Sequence, residues 1–422
     1  MKRILLLLAL TGVTAGSSAL RAAETTALRS GDNIAVCGDS ITEQKIYSAY
    51  LEDYFLACQP ASKLEASQFG WGGETSWGFL DRMRNDVLPF APNVATLCYG
   101  MNDGDYRVIE TDRVEKYRAA LTDIVQTFKH AGVREVVVGS PGPVDSTSFK
   151  GVWFHPPITS VGYNQTLSNL TQTAEKVATA EKVRFADLHT EGMRVMEAMK
   201  EKYGTNYLLF GDDGIHPKEA GHLVMAYAFL KALGCDGNIG TIEVDLSSGK
   251  AKATPGHEVI AASAGKVTVK STRYPFCFRG DPSKPDATTG VIEFLPFNNE
   301  LNRFLLMVHH APAGVTRLKV TWGGHTKDFD VAQLEKGINL AAEFLDNPFS
   351  EPFQKVHETV LRQQRYETPM VKELLHSVPD WKQNDVRGAD ELVKPLVKMD
   401  ENLRQAAARS VVPVTYEIRI NP

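Results

Sequence analysis

The chain has 422 residues, 43% hydrophobic and 23% charged, with a formal net charge of −5 at pH 7. That length exceeds one ordinary core and predicts two domains or three, while the composition excludes a disordered chain. The mild acidity argues against nucleic acid or an anionic membrane surface as partner.

The chain opens on "MKRILLLLALTGVTAGSSALRAA". Lys2 and Arg3 form a basic start, residues 4–10 an apolar stretch, and Ser17, Ala19, Ala22 and Ala23 offer small residues for cleavage. That order predicts a secretory signal peptide over 1–23, with an apolar part too short to span a bilayer. Cleavage after Ala23 removes Lys2, Arg3 and Arg21 and leaves a more acidic chain with no integral membrane span. The expected location is exported, periplasmic or extracellular; an uncleaved signal anchor would also put the folded part outside the cytosol.

From residue 30 to about 235, short apolar runs alternate with amphipathic stretches. "NIAVCGD" (33–39), "NVATLCYG" (93–100), "REVVVGSPG" (134–142) and "VRFADLH" (183–189) read as strands that are apolar on both faces. Helix-like segments lie near 43–57, 76–88, 111–131, 161–180 and 191–202. Continuous apolar strands separated by helices predict an α/β domain over 24–235, with a parallel sheet covered on both sides. Ligands of such sheets bind beyond the carboxyl ends of the strands, where Gly38-Asp39-Ser40, Gly100-Met101-Asn102 and Ser140-Pro141-Gly142 gather here.

After "LGCDGNIG" (233–240) the texture changes to alternating segments: "TIEVDLSS", "GKVTVKSTRYPFCFRG", "GVIEFLPF", "NRFLLMVHH" and "VTRLKVTWGG". These predict a β-rich domain over 236–422, an antiparallel sheet or sandwich. A helical pair at about 350–409 interrupts it before "VPVTYEIRI" (412–420) alternates again. The pair therefore reads as an insertion, with its charged "ETVLRQQRYE" a solvated face. Five scattered cysteines, Cys37, Cys58, Cys98, Cys235 and Cys277, indicate neither a disulfide framework nor a zinc site.

Gly-Asp-Ser alone is ordinary turn chemistry. A serine hydroxyl becomes a nucleophile only when a base takes its proton and a third group orients the base. "GDDGIHP" (211–217) places Asp213 three residues before His216, within reach of imidazole Nδ1, leaving Nε2 for another group. "FGWGGETSWGF" (69–79) is a Gly-rich connection whose N–H groups can approach a ligand. "CYGMNDGDY" (98–106) ends a strand on Asn102, a side-chain amide donor; it lacks the spacing and closing Glu of a calcium loop. Neither a Gly-x-Ser-x-Gly elbow nor a P-loop, Gly-x-Gly-x-x-Gly or His-Glu-x-x-His is present.

Four blocks in order, "GDSIT", "GWGGET", "GMND" and "DGIHP", resemble the SGNH (GDSL) hydrolase family over roughly residues 30–235. The resemblance implies a three-layer α/β/α, flavodoxin-like domain and ester hydrolysis by a catalytic set of Ser40, Asp213 and His216. It also implies an oxyanion hole from the Ser40 and Gly73 N–H groups and the Asn102 amide, with Gly70 and Gly72 close competitors for the Gly73 role. No cofactor and no metal are expected. Rim aromatics (Trp71, Trp77, Tyr99, Tyr106 and the "VWFHPP" loop, 152–157) suit a sugar ring or an acyl pocket. The expected substrate is an acylated small molecule or polysaccharide, with O-acetyl groups on carbohydrate foremost. A lipase or lysophospholipase of the same family, and a non-catalytic glycan-binding protein, are the alternatives.

Overall fold

A computed structural model describes residues 26–60, 63–384 and 386–422, apart from the Asp390 side chain. The signal peptide expected at 1–23 lies outside the described residues.

The first part of the chain contains β1 (Asn33–Gly38), α1 (Ser40–Glu43), α2 (Tyr47–Asp53), β2 (Glu65–Gly70), α3 (Ser76–Asp86) and β3 (Val94–Cys98). It continues through α4 (Thr111–His130), β4 (Glu135–Gly139), α5 (Ser160–Glu181), β5 (Arg184–Ala186), α6 (Leu188–Tyr203) and α7 (Glu219–Ala232). The strands form one parallel sheet in the order β2-β1-β3-β4-β5. Successive β1 side chains face opposite layers, as a pleated strand requires. Ile34 and Val36 enter one core with Tyr47, Leu51, Leu223 and Phe229, while Ala35 and Cys37 enter another with Phe79, Met83, Leu121 and Phe128. This is the expected three-layer α/β/α arrangement, and it sets the carboxyl ends of β1 and β3 side by side.

The sequence reading missed β2. Its sequence, EASQFG, has no apolar run, yet five of its six residues are buried.

The second part runs β6 (Asn238–Asp245), β7 (Lys250–Ala253), β8 (His257–Ser263), β9 (Lys266–Ser271), α8 (Thr288–Val291), α9 (Phe297–Glu300) and β10 (Arg303–His309). Then come β11 (Arg317–Trp322), β12 (His325–Asp330), α10 (Val331–Lys336), β13 (Ile338–Asn339), α11 (Leu340–Glu343), α12 (Ser350–Pro369), α13 (Val378–Gln383), α14 (Ala389–Ser410) and β14 (Val414–Asn421). Two sheets result, β13-β10-β6-β7 and β12-β11-β14-β9-β8. Trp322 is fully buried among Phe304, Phe344, Phe349 and Tyr416.

Three details depart from expectation. β6 and β10 pair in parallel, although an antiparallel sheet was expected. The "GVIEFLPF" run (290–297) is not a strand but the end of α8, a turn and the first residue of α9, and its Pro296 has no N–H to give a ladder. The helical insertion packs on the first part of the chain, where α12 lies against α2 and β2. Its face is not merely solvated: Val360, Gln363, Gln364 and Glu367 are buried.

Candidate active site

β1 stops at Gly38, and the buried Asp39 caps the helix that follows by accepting the Ile41 N–H at 3.0 Å. Burial pushes the Asp39 carboxyl up to about 7 against that hydrogen bond. Ser40 is thereby the first residue of α1, half-buried at the sheet rim. Its Oγ lies 2.8 Å from His216 Nε2.

His216 arrives from the loop before α7. The loop closes on itself because Gly211 has φ +79° and a Cβ there would lie 2.1 Å from the His216 carbonyl oxygen. His216 Nδ1 is 2.6 Å from Asp213 Oδ2, and Asp213 Oδ1 accepts the Ile215 and His216 backbone N–H groups at 2.9 and 3.0 Å. Partial burial raises the Asp213 carboxyl, but the His216 ring and these two amides outweigh it and hold it at about 2. An ionised carboxylate only accepts, so Nδ1 carries the imidazole proton and Nε2 faces the serine as an acceptor. The hydrogen bond to Asp213 raises His216 above the usual histidine range, against burial.

The Gly-rich block runs from the end of β2 to the start of α3. A Cβ on Gly72 would lie 4.0 Å from Ser40 Cβ, so the block passes directly over the serine. Its N–H groups divide cleanly. Gly70 N–H donates to Gln68 Oε1 at 2.8 Å, Trp71 N–H to the Gly38 carbonyl at 3.0 Å, and Gly72 N–H to Glu43 Oε2 at 2.5 Å. Glu74 N–H turns back to the Trp71 carbonyl. Of the three candidate glycines, Gly73 alone has an N–H with no acceptor among the described residues, at a φ of +73° and in an exposed position. Hydrogen-bond accounting therefore leaves the Gly73 N–H, and not those of Gly70 or Gly72, unspent.

Asn102, two residues beyond the buried Gly100, spends one amide hydrogen on the Glu74 carbonyl at 3.0 Å and accepts Tyr106 Oη–H on its Oδ1 at 3.3 Å. Its second amide hydrogen stays available. Asp103 takes Ser76 N–H at 2.9 Å and Ser76 Oγ–H at 2.5 Å, tying this strand end to α3. Ser40, Gly73, Asn102, Asp213 and His216 are thus assembled on one rim. The arrangement has the parts of an acyl-transfer centre: a hydroxyl facing an acceptor nitrogen, an oriented imidazole, and unspent donors beside it.

The rim aromatics separate into kinds. Tyr99 is fully buried, with its hydroxyl on Glu74 Oε2 at 2.9 Å, so it belongs to the support and not to the surface. Tyr106 stacks on Phe154 at 4.2 Å and on Tyr163 at 4.9 Å. Trp153, next to Phe154, is 70% exposed. Trp71 is half-buried, with Arg82 and Lys372 over its ring and His376 against its edge.

Sequence reasoning missed Glu43, Glu74, Arg82 and Lys372. Arg82 Nε and Nη2 grip the Glu74 carboxylate at 2.6 and 2.8 Å, and Nη2 also reaches the Phe69 carbonyl at 2.8 Å. The "GWGGET" block contained Glu74, but nothing local marks its partners. His222, close in sequence to His216, is no second base: burial and the neighbouring His216 push it down to about 3, and it rests on Gln44 at 3.0 Å. All five cysteines are free, four of them buried.

A model of the GDSL-like lipase/acylhydrolase family matches residues 36–224. Among solved structures, BT4096, a gut microbial diltiazem-metabolizing enzyme, is similar at a TM-score of 0.70 and 21% identity, over 93% of this chain and 98% of that one. This fold likeness spans both parts of the chain. Axe2, an acetylxylan esterase from Geobacillus stearothermophilus, aligns at a TM-score of 0.40 and 20% identity, over 49% of this chain and 96% of its own. LAE5, an alpha/beta hydrolase enzyme from the metagenome of Lake Arreo, Spain, aligns at 0.40 and 22%, over 50% and 99%. No curated protein matches.

Proposed function

From the match of residues 36–224 to the GDSL-like lipase/acylhydrolase family, we propose that the chain is a serine ester hydrolase, that Ser40 is its nucleophile and that its substrates are short O-acyl esters, chiefly O-acetyl groups, on carbohydrate. The single observation that carries the catalytic assignment is the continuous line from Asp213 Oδ2 through His216 to Ser40 Oγ, at 2.6 and 2.8 Å.

In this reading Ser40 Oγ attacks the acyl carbon as His216 Nε2 accepts its proton, and Asp213 stabilises the imidazolium that forms. The carbonyl oxygen becomes an oxyanion and takes hydrogen bonds from Ser40 N–H, Gly73 N–H and the spare hydrogen of Asn102 Nδ2. Each such donor contributes about 2.7–4 kcal/mol to the transition state. His216 then protonates the leaving alcohol, the ester C–O bond breaks, and the acyl group stays on Ser40. Water, deprotonated by His216, attacks the acyl-enzyme and releases the acid.

The carbohydrate reading is supported by the exposed Trp153 on the loop whose Phe154 stacks on Tyr106, itself hydrogen-bonded to Asn102. A flat exposed indole on that loop suits the apolar face of a sugar ring. Val108, Val152 and Val161 are exposed on the same two loops or just beyond them, and they are what favours the second reading, a lipase or lysophospholipase. Export, read from residues 1–23, completes the proposal; fractionating cells that express the full chain tests it.

The decisive experiment is hydrolysis of p-nitrophenyl acetate, butyrate and octanoate and of acetylated xylan, beside Ser40→Ala. Acetate turnover that the variant loses, with acetate released from xylan, supports the proposal. Octanoate turned over far faster than acetate transfers the weight to the lipase reading, and activity retained by Ser40→Ala removes Ser40 from the mechanism.

A further inference from the structure

The inserted helices reach the catalytic rim. Between α12 and α13 the chain makes a π-helical turn, Met370–Leu375. Such wide turns frequently mark functional positions. From it Lys372 extends its ammonium to Glu43 Oε1 at 2.9 Å. Glu43 ends α1, the helix that Ser40 begins, and its other oxygen, Oε2, holds the Gly72 N–H at 2.5 Å. The same ammonium sits 4.8 Å from the Trp71 ring centre. One turn further on, His376 packs against that ring at 4.9 Å and reaches Asp86 at 2.9 Å.

We propose that Lys372 is a positioning residue for the oxyanion hole. It fixes Glu43 and Trp71, which orient the peptide preceding Gly73 and so aim the Gly73 N–H at the oxyanion. The inference rests on the reading that Ser40 and Gly73 act as proposed above. Its physical basis is that Gly72 and Gly73 are exposed and lack side chains to pack. Their backbone is held from outside, by the Glu43 carboxylate on the Gly72 N–H and through the preceding residue, Trp71, whose ring is anchored by Lys372, Arg82 and His376. Both holders converge on one cation, brought from more than 300 residues along the chain. Lys372 is about a quarter exposed, as is Glu43, so the pair is partly shielded from water. A charge-assisted hydrogen bond there is stronger than an exposed ion pair. Losing it should loosen donor geometry more than substrate binding, because an oxyanion donor acts in the transition state.

The test compares the full wild-type chain with Lys372→Met, Lys372→Arg, Glu43→Gln and the double variant Glu43→Gln/Lys372→Met, with p-nitrophenyl acetate as substrate and Ser40→Ala as control. Lys372→Met should lower kcat by about 10- to 100-fold, as small misplacements of reacting groups do, with KM and the acidic limb of the pH profile unchanged. Lys372→Arg should restore much of the loss. The double variant should be no slower than the worse single one, because the two residues act as a unit. A Lys372→Met kcat within about twofold of wild type, with Ser40→Ala inactive, overturns the inference while leaving the proposed function intact. A loss that Lys372→Arg does not rescue, accompanied by a matching drop in melting temperature, also overturns it by making Lys372 merely structural. Full activity in Ser40→Ala instead defeats the underlying reading.

Discussion

β1 and β2 lie side by side in the same sheet, in register from Asn33 against Glu65 to Gly38 against Gly70. Both are buried, yet they are built by opposite means. β1 sits between β2 and β3, so its backbone is satisfied by neighbouring strands, and NIAVCG needs only apolar side chains for the two layers. β2 is the sheet edge, and its outer backbone is met by side chains. Gln68 N–H donates to Glu367 Oε2 at 2.8 Å, and the Ala66 carbonyl accepts from Gln363 Nε2 at 2.8 Å. Arg404 reaches Glu65 at 2.7 Å and Asp400 at 2.9 Å, and Ser67 donates to Asp400 at 3.3 Å. The inserted helices therefore finish an edge that would otherwise be open to pairing with another chain. An apolar strand declares its burial locally, whereas a strand covered by polar partners does so only through residues 300 positions away.

The largest expected effect lies at the end of β1. Ser40→Ala should lower turnover of p-nitrophenyl acetate by about 10⁴-fold or more without moving the melting temperature. A comparable loss with a collapsed melting temperature would mean that Ser40 supports the fold, and the contrast between a functional β1 end and a structural β2 edge would break.

Asp213→Asn comes next. An amide can donate to Nδ1 and favour the wrong imidazole tautomer, so kcat should fall by about 10⁴-fold. The pH profile carries a separate sign. His216 works as a base only when neutral, and Asp213 raises its pKa above the usual histidine range. Wild-type activity should therefore fall as pH drops through that raised value, and the residual activity of Asp213→Asn should show its acidic limb at lower pH. A limb at the same pH in both would show that another group sets it.

Asn102→Ala should cost about 10²–10³-fold in kcat, the loss expected for one oxyanion donor. Because Asn102 Oδ1 also accepts Tyr106 Oη–H, Asn102→Asp is a useful companion: it keeps that acceptor but loses both amide donors. Recovery of activity in Asn102→Asp would assign Asn102 to loop packing.

These predictions follow the line between what was legible in the sequence and what was not. The α/β/α fold came through because β1, β3 and β4 are mostly apolar on both faces and the helices between them are amphipathic. The five candidate site residues could be singled out because each stands in a short block with its own turn chemistry, and the structure joins Asp213, His216 and Ser40 in one line. The Gly73 choice needed the structure, since it depends on Glu43 and Gln68 occupying the neighbouring N–H groups. β2 and the docking face of α12 stayed hidden because their polar partners are distant in the chain, and Lys372 because Glu43 and Trp71 are equally remote from it in sequence. The "GVIEFLPF" run misled in the other direction, its alternation arising from residues that pack as helical turns.

The smallest effect sharpens the comparison on the β2 side, where buried carboxyls should make stability depend on pH. Glu52 on α2 accepts Gln364 Nε2–H on Oε2 at 2.8 Å, and its Oε1 has no partner among the described residues. Burial pushes its carboxyl up to about 8, reinforced by Asp53 and Asp400 and opposed by the Gln364 and Gln363 amides. Burial likewise raises Glu367, with Asp400 and Glu52 adding to it. A carboxyl whose folded pKa lies above its unfolded value holds a proton that the unfolded chain releases. Stability should therefore be full below the unfolded value of about 4.5 and decline until the folded group itself ionises near 8. Glu52→Gln supplies a neutral side chain of the same shape at every pH. It should narrow the fall in melting temperature between about pH 5 and about pH 8 by roughly 2–4 °C for each kcal/mol recovered. Glu367 still titrates in that variant, so the slope should shrink and not vanish. An unchanged slope would mean that Glu52 is ionised in the folded protein and that the polar edge of β2 is held by charge, leaving the proton no part in it.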